Sequence, residues 1–175
     1  MPTVPIILRE VSFDDSPVIA QLANNKKIWN NVRNRMPYPY ALKDAEQFVE
    51  QALKSDDATV QAITLHGQVT GLIGLHPASD VYSGTAELGY WIGEPYWGRG
   101  LASAAVTQII PIGFEQLKLR RIYASVYEHN HASMRVLEKN GFQREGVARA
   151  AVLKNGQVLD EVRYGLVNLP DQHQE

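Results

Sequence analysis

The sequence predicts an α/β (α+β) domain: a mixed, mostly antiparallel central sheet with helices on both faces. Three observations predict it. Strand-like stretches recur along the chain, most cleanly at Arg121–Tyr127, where Ile122, Ala124 and Val126 alternate with Tyr123, Ser125 and Tyr127. Glycine turns at His66-Gly67-Gln68 and Asn155-Gly156 join such stretches as hairpins. Helical runs are interposed, clearest at Leu42–Leu53, where Ala45, Phe48, Val49 and Ala52 share one side. With 175 residues, the chain is long enough for a substantial core. It is expected to form a single domain over 1–169, followed by a disordered tail at 170–175.

Taken in order, Ile6–Phe13 reads as a strand with Ile6, Leu8 and Val11 inward. Asp14 and Asp15 then start a helix that tolerates Pro17 in its first turn and ends at Asn24 and Asn25. Lys26–Tyr40 is irregular, and Pro37 and Pro39 push its end into extended conformation. After the helix Leu42–Leu53, Ala58–Leu65 and Val69–Leu75 read as a hairpin, Pro77–Gly84 as a loop and Thr85–Ile92 as a strand. Leu101–Leu117 is helical by spacing. Pro111 lies inside it, where a missing N–H and a ring clash cost about 3 kcal/mol, so a kink or break is expected there. Asn130–Lys139 forms a short helix stopped by Gly141, and Phe142–Leu153 pairs with Val158–Val167 around Asn155-Gly156.

Composition narrows the function classes. A hydrophobic fraction of 45% with evenly spread charge marks a soluble globular chain, and a net charge of −2 provides no basic face for nucleic acid. There is no cysteine, hence no disulfide framework, thiolate metal site or cysteine nucleophile. The five histidines lack metal-ligand spacing, so no metal is expected. No apolar run approaches membrane-spanning length and the first residues carry no signal pattern, which makes the cytoplasm the expected location, without membrane association.

The chemistry centres on Tyr96-Trp97-Gly98-Arg99-Gly100-Leu101-Ala102-Ser103. A strand precedes it and a helix follows. Glycines at 98 and 100 open backbone conformations closed to other residues, and the helix start offers unpaired N–H groups at the positive end of its dipole. That arrangement binds phosphate; the alternative is an ordinary glycine turn. A Walker loop is excluded because no Gly-Lys-Ser/Thr follows. A dinucleotide fingerprint fits poorly, since it should open a βαβ unit and be followed by an acidic ribose ligand.

Trp97-Gly98-Arg99-Gly100-Leu101-Ala102 resembles the Gln/Arg-x-x-Gly-x-Gly/Ala pyrophosphate loop of the GNAT superfamily of acyl-CoA-dependent N-acyltransferases, with Trp at its first position. Asn130-His131-Ala132-Ser133 through Glu138-Lys139-Asn140-Gly141-Phe142 resembles that family's second block, and the likeness runs from about 6 to 167. The RimJ/RimL-like branch is the most similar. The resemblance implies that Thr85–Ile92 and Arg121–Tyr127 splay apart and that the pantetheine arm of CoA lies between them. It implies acetyl-CoA as co-substrate, with Trp91, Ile92, Gly98, Arg99, Gly100, Leu101, Ala102, Ser103, Asn130 and Ser133 as its contacts. Arg99 suits phosphate, or is a solvated turn residue; Asn130 holds the pantetheine arm, caps its helix, or does both.

Acyl transfer to an amine needs a base for the ammonium, donors for the oxyanion and a hydrogen bond for the leaving thiolate. Glu87, at a strand end, is the candidate base, as the resemblance implies. Ser133 is the candidate at the sulfur, three residues after Asn130 on the same helical turn. Many GNAT enzymes place a tyrosine acid four residues beyond that serine; here the position is Leu137. Because a thiol near pKa 8.5 is a far stronger acid than an alcohol, Ser133 is read as a hydrogen-bond donor, not a proton source. The oxyanion donor is expected from a backbone N–H of Glu87–Ile92. Tyr38, Tyr40 and Tyr90 are candidates for the acceptor site; each is equally suited to covering core.

The expected activity is acetyl transfer from acetyl-CoA to a primary amine by direct attack, with a protein N-terminal α-amine as first acceptor. Small-amine and antibiotic acetyltransferases share the branch, and the chain is expected as a monomer or homodimer. A catalytically idle acyl-CoA-binding module is the rival of a different class. A binder of some other phosphorylated ligand is the third.

Overall fold

The computed structural model describes residues 5–55 and 59–168. Seven strands form one sheet: β1 (Ile6–Glu10), β2 (Thr59–Leu65), β3 (Gln68–Pro77), β4 (Thr85–Ile92), β5 (Arg121–Tyr127), β6 (Gln143–Lys154) and β7 (Gln157–Val167). Their spatial order is β1-β2-β3-β4-β5-β7-β6. Every neighbouring pair is antiparallel except β4–β5, so the expected mixed, mostly antiparallel sheet is what forms. Both hairpin turns adopt the conformation that two-residue loops favour, with positive φ at His66 (50°), Gly67 (79°), Asn155 (54°) and Gly156 (74°).

Among the described residues five α-helices accompany the sheet: α1 (Ser16–Ala23), α2 (Lys26–Trp29), α3 (Leu42–Lys54), α4 (Leu101–Pro111) and α5 (His131–Lys139). Strand alternation divides the apolar side chains between two cores. On one face Ile73, Leu75, Leu88, Ile122, Ala124, Val126 and Tyr164 pack against Leu101, Ala105, Val106 and Ile109 of α4 and Leu137 of α5. On the other, Ala62, Val69 and Leu72 pack against Ile19, Ala20 and Ala23 of α1 and Ala45 and Val49 of α3. Helices therefore flank both faces, as the pattern predicts.

Local departures have physical causes. The first strand ends at Glu10, and Phe13–Asp15 forms a short 3-10 turn instead of continuing it. That turn is held by the Asp15 carboxylate, which accepts from the Ser12 backbone N–H (2.9 Å) and from both Arg9 guanidinium nitrogens (2.8 and 2.7 Å). Lys26–Trp29, expected as irregular, is a helical turn, because Asn25 does not merely end α1. Its side-chain oxygen accepts from the N–H groups of Lys27 (2.8 Å) and Ile28 (3.3 Å) and caps α2. At Pro111 the α-helix ends and a wider π-helical turn, Ile112–Gln116, replaces it, with Leu117 N–H reaching the Ile112 carbonyl at 3.0 Å. A proline that cannot donate to the preceding turn produces that change. The tail expected beyond 169 and the start of the second strand at Ala58 lie outside the described residues.

Candidate active site

The site is built on a break in the sheet. β4 and β5 pair in parallel over three residues, Thr85–Arg121, Ala86–Ile122 and Glu87–Tyr123, and part beyond them. β4 remains tied to β3 as far as Ile92, whereas β5 follows β7 to Tyr127. The expected splay is thus present. Ladder geometry decides which backbone groups face it. Ala78 N–H donates to Thr85 (2.9 Å) and Gly93 N–H to Thr70 (2.8 Å), so the odd-numbered β4 residues bond to β3. The backbone groups of Leu88, Tyr90 and Ile92 are turned toward the opening.

One mouth of the splay lies on the α4/α5 face. Gly98 (φ 74°) and Gly100 (φ 76°) are both left-handed and lead into α4. The first intrahelical bond of α4 runs from Ala104 N–H to Gly100 (3.0 Å), so the amides of Leu101, Ala102 and Ser103 precede it and face outward along the axis. Arg99 stands 5.6 Å over the Tyr96 ring beside them. Trp97, which occupies the loop's Gln/Arg position, donates its indole N–H to the Ile92 carbonyl at 2.6 Å and pins the loop to the end of β4. The Ser103 side chain also joins two helices, because its hydroxyl accepts from Asn140 at 3.1 Å. Asn140 also takes a hydrogen bond from Thr107 (2.7 Å) and gives one to the Val136 carbonyl (2.8 Å), which locks α4 to α5.

Asn130 caps α5, accepting from Ser133 N–H at 3.2 Å. Ser133 then meets Tyr90 across the splay: hydroxyl to hydroxyl 2.8 Å, with the Ser133 carbonyl 3.3 Å from the Tyr90 hydroxyl. Of the two readings of Tyr90, acceptor site or core, its placement follows the second. Three residues apart on a strand, the Glu87 and Tyr90 side chains leave opposite faces, and Tyr90 packs with the α4/α5 core. Its burial pushes the phenol up to about 12. Leu137, the position at which the resemblance sets a tyrosine acid against this chain's leucine, is fully buried.

The other mouth carries Glu87, Gly89 and Trp91. Glu87 forms an ion pair with Arg33 from the segment after α2. Directly across the ladder sits His76, whose imidazole burial and the nearby Arg35 and Arg33 charges hold below its ordinary range. Tyr123 borders the same carboxylate from β5, and its phenol is raised, chiefly by burial and then by the Glu87 charge. Trp91 turns its side chain into the α1/α3 core, and its backbone belongs to the set bonded to β3, so of the expected CoA contacts on β4 it is Ile92 whose backbone faces the splay. Tyr40 lies in the core, the second of the two roles open to it: it is 7% exposed among α1 and α3, and burial pushes it up to about 12. Tyr38 remains on the surface, its ring 5.4 Å from that of Trp29. Arg33 and His76 escaped sequence reasoning. The hairpin register that sets His76 opposite Glu87 was a usable signal for one; nothing local marks the other.

The hairpin tip reaches the same segment. Lys154, 3% exposed, donates to Asn34 (2.9 Å) and stands 4.0 Å over the Trp29 ring, while Asn155 donates to Asn30 (2.8 Å). The β6–β7 turn thereby fixes the stretch that delivers Arg33.

A family model for the GNAT acetyltransferase domain matches residues 6–143. An uncharacterized N-acetyltransferase p20 of Bacillus licheniformis is 29% identical over 169 residues, spanning 94% of each chain. Among solved structures, Mycobacterium smegmatis RimJ in complex with CoA-disulfide superposes with a TM-score of 0.84 at 21% identity, covering 95% of this chain and 83% of that one. The ribosomal-protein-S5-alanine acetyltransferase of Vibrio fischeri gives 0.82 at 21% identity, covering 97% and 96%. No helix among the described residues is long and apolar enough to cross a membrane.

Proposed function

The chain belongs to the GNAT acetyltransferase family, and on that premise we propose that it transfers acetyl from acetyl-CoA to a primary amine by direct attack, a protein N-terminal α-amine being the first acceptor to test. One observation carries the reading: the splay opens on the α4 amides and Ser133 at one face and on Glu87 at the other, so donor and acceptor groups meet from opposite sides of the sheet. The α-amine acceptor is supported by the fold shared with the S5-alanine acetyltransferase named above.

Acetyl-CoA supplies the activated acyl group, and the chain's own residues bind and orient it. The left-handed Gly98 and Gly100 bring backbone to the pyrophosphate without a Cβ in the way, and the amides of Leu101, Ala102 and Ser103 donate to its oxygens. Arg99 is close enough to the loop to add charge. Backbone amides of β4 that face the splay, Leu88 or Tyr90, donate to the developing oxyanion. Ser133 donates to the departing sulfur.

Glu87 supplies the base. An α-amine has a reference pKa near 8 and a lysine amine near 10.4, so the acceptor arrives largely as ammonium and must lose a proton before attack. A carboxylate that already holds one cation, the Arg33 guanidinium, is a site where an ammonium binds in its place. Acceptor binding is then an exchange of cations at Glu87.

Calorimetric titration with acetyl-CoA, with ATP and NAD as controls, tests the donor site. Selective binding supports the reading, and equal or absent binding overturns it. Thiol release with a panel of peptides bearing free α-amines and of small diamines tests the acceptor. Turnover of the diamines alone would replace the N-terminal acceptor by a small amine; binding without any turnover would leave an acyl-CoA-binding module.

A further inference from the structure

The Tyr90–Ser133 contact joins β4 to α5 across the splay by a side-chain hydrogen bond, and neither the glycine loop nor Glu87 explains it. Tyr90 commits a half-buried phenol to a partner that is itself a hydroxyl. Tyr90 packs, partly buried, against the α4/α5 core, where a hydroxyl is costly without a partner, so the pair is built, not incidental. Two hydroxyls share one short contact and can satisfy it in either sense. With Tyr90 donating to the Ser133 carbonyl at 3.3 Å, the serine hydrogen points back at the phenol and is lost to the splay. With Tyr90 donating to Ser133 Oγ at 2.8 Å, the better distance, the serine hydrogen is free to turn outward.

Resting on the reading of Ser133 given above, we propose that Tyr90 is the positioning residue of Ser133: its O–H donates to Ser133 Oγ and so directs the serine hydrogen to the leaving sulfur. The two hydroxyls then act as a chain, each bond polarising the next. Atoms balance without a proton leaving either group. The C–N bond forms as the C–S bond breaks, the sulfur keeps the electron pair of that bond, and the proton shed by the amine passes through Glu87 to solvent. Ser133 and Tyr90 stabilise the thiolate by hydrogen bonding alone, because an alcohol and a phenol held near 12 are both weaker acids than a thiol near 8.5. Leu137, one turn beyond Ser133 on the helix, is fully buried and carries no donor, so the phenol that meets Ser133 arrives from the strand.

The test is a double-mutant cycle in steady-state thiol release, using the acceptor that turns over fastest in the panel above. Tyr90→Phe should lower kcat about tenfold with the KM for acetyl-CoA within about twofold, and Ser133→Ala should lower it at least as far. In the Ser133→Ala background, Tyr90→Phe should then cost nothing further. Independent losses that multiply, or an unchanged kcat in Tyr90→Phe, would overturn the proposal while leaving Ser133 in place. An unchanged kcat in Ser133→Ala would instead remove the reading on which it rests. Should Tyr90→Phe fold poorly by thermal melt, a fluorinated tyrosine at position 90 keeps ring and hydroxyl but ionises at lower pH. Its phenolate cannot donate, so kcat should acquire a new fall as pH rises through that lowered pKa. A flat alkaline limb would overturn the proposal.

Discussion

Valine in place of Gly100 tests the donor site through its backbone. Gly100 is the N-cap of α4 at φ 76°, ψ 8°. A side-chain-bearing residue held in that left-handed region costs about 1–2 kcal/mol, and a β-branched one sits at the upper end. That cost has two outlets. If the loop keeps its shape, the folded chain carries the strain, and the melting temperature falls by roughly 2–4 °C per kcal/mol for a chain of this size. If the loop relaxes instead, the amides of Leu101, Ala102 and Ser103 lose their common direction, and restoring it on binding weakens acetyl-CoA by about 5–30-fold. Thermal melts and calorimetric titration of the same variant must together account for at least about 1 kcal/mol. Gly98→Ala should shift the same two measurements in the same direction, since its φ is 74° while its Cβ meets no atom of the chain within 4 Å: inside the protein it carries the dihedral cost alone. Wild-type melting and wild-type affinity in Gly100→Val would refute the assignment of this turn to the donor.

Four other outcomes follow from the geometry. Glu87→Gln should cut acceptor kcat/KM by about 10²-fold or more with acetyl-CoA affinity near normal, the deficit shrinking as pH approaches the amine's own pKa; a large loss of affinity would count against its role as base. Arg33→Ala should lower acceptor KM about two- to fivefold, most at low salt, because an exposed guanidinium no longer competes for Glu87 and such a pair is worth about 0–1 kcal/mol. Lys154→Met should destabilise the chain by about 1–2 kcal/mol and lower acceptor KM, since the segment carrying Arg33 loses its hydrogen bond to the hairpin and holds that competing guanidinium on Glu87 less firmly; a melt and a KM both unchanged would dissociate hairpin from site. The Asp15 carboxyl, held below its ordinary value chiefly by Arg9, adds stability that is complete above the unfolded carboxylate range near pH 4 and is lost as pH falls through the lower folded value. Asp15→Asn should therefore cost about 2 kcal/mol at pH 7 and flatten the acid limb of the stability profile measured by thermal melts.

What the sequence discloses and what it hides divides along the range of the interactions. Strand parity, hairpin turns and caps are local, so Thr85–Ile92 and Arg121–Tyr127 are legible to the residue and Pro111 announces the end of its helix. Asn25 is local too, yet it is ambiguous, because asparagine both ends helices and caps the next one. The missed site residues come from long range. Arg33 meets Glu87 across 54 residues, and Lys154 meets Asn34 across 120, through a hairpin tip folded back over the segment after α2. No periodicity encodes such meetings.

Tyr90 belongs to neither group, and its case shows how far parity alone can carry function. Glu87 and Tyr90 are an odd number of residues apart on one strand, so their side chains must leave opposite faces wherever the strand is regular. In an unbroken sheet that would disqualify them from a common site. Here the sheet is open beyond Glu87 and Tyr123, and in the proposed reaction reagents enter from both sides of it. Opposite faces are then a requirement: the group that takes the amine's proton and the groups that receive the sulfur's charge must flank one carbonyl from two directions. Glu87 with Arg33 before it, and Tyr90 with Ser133 behind it, meet that requirement from a single strand.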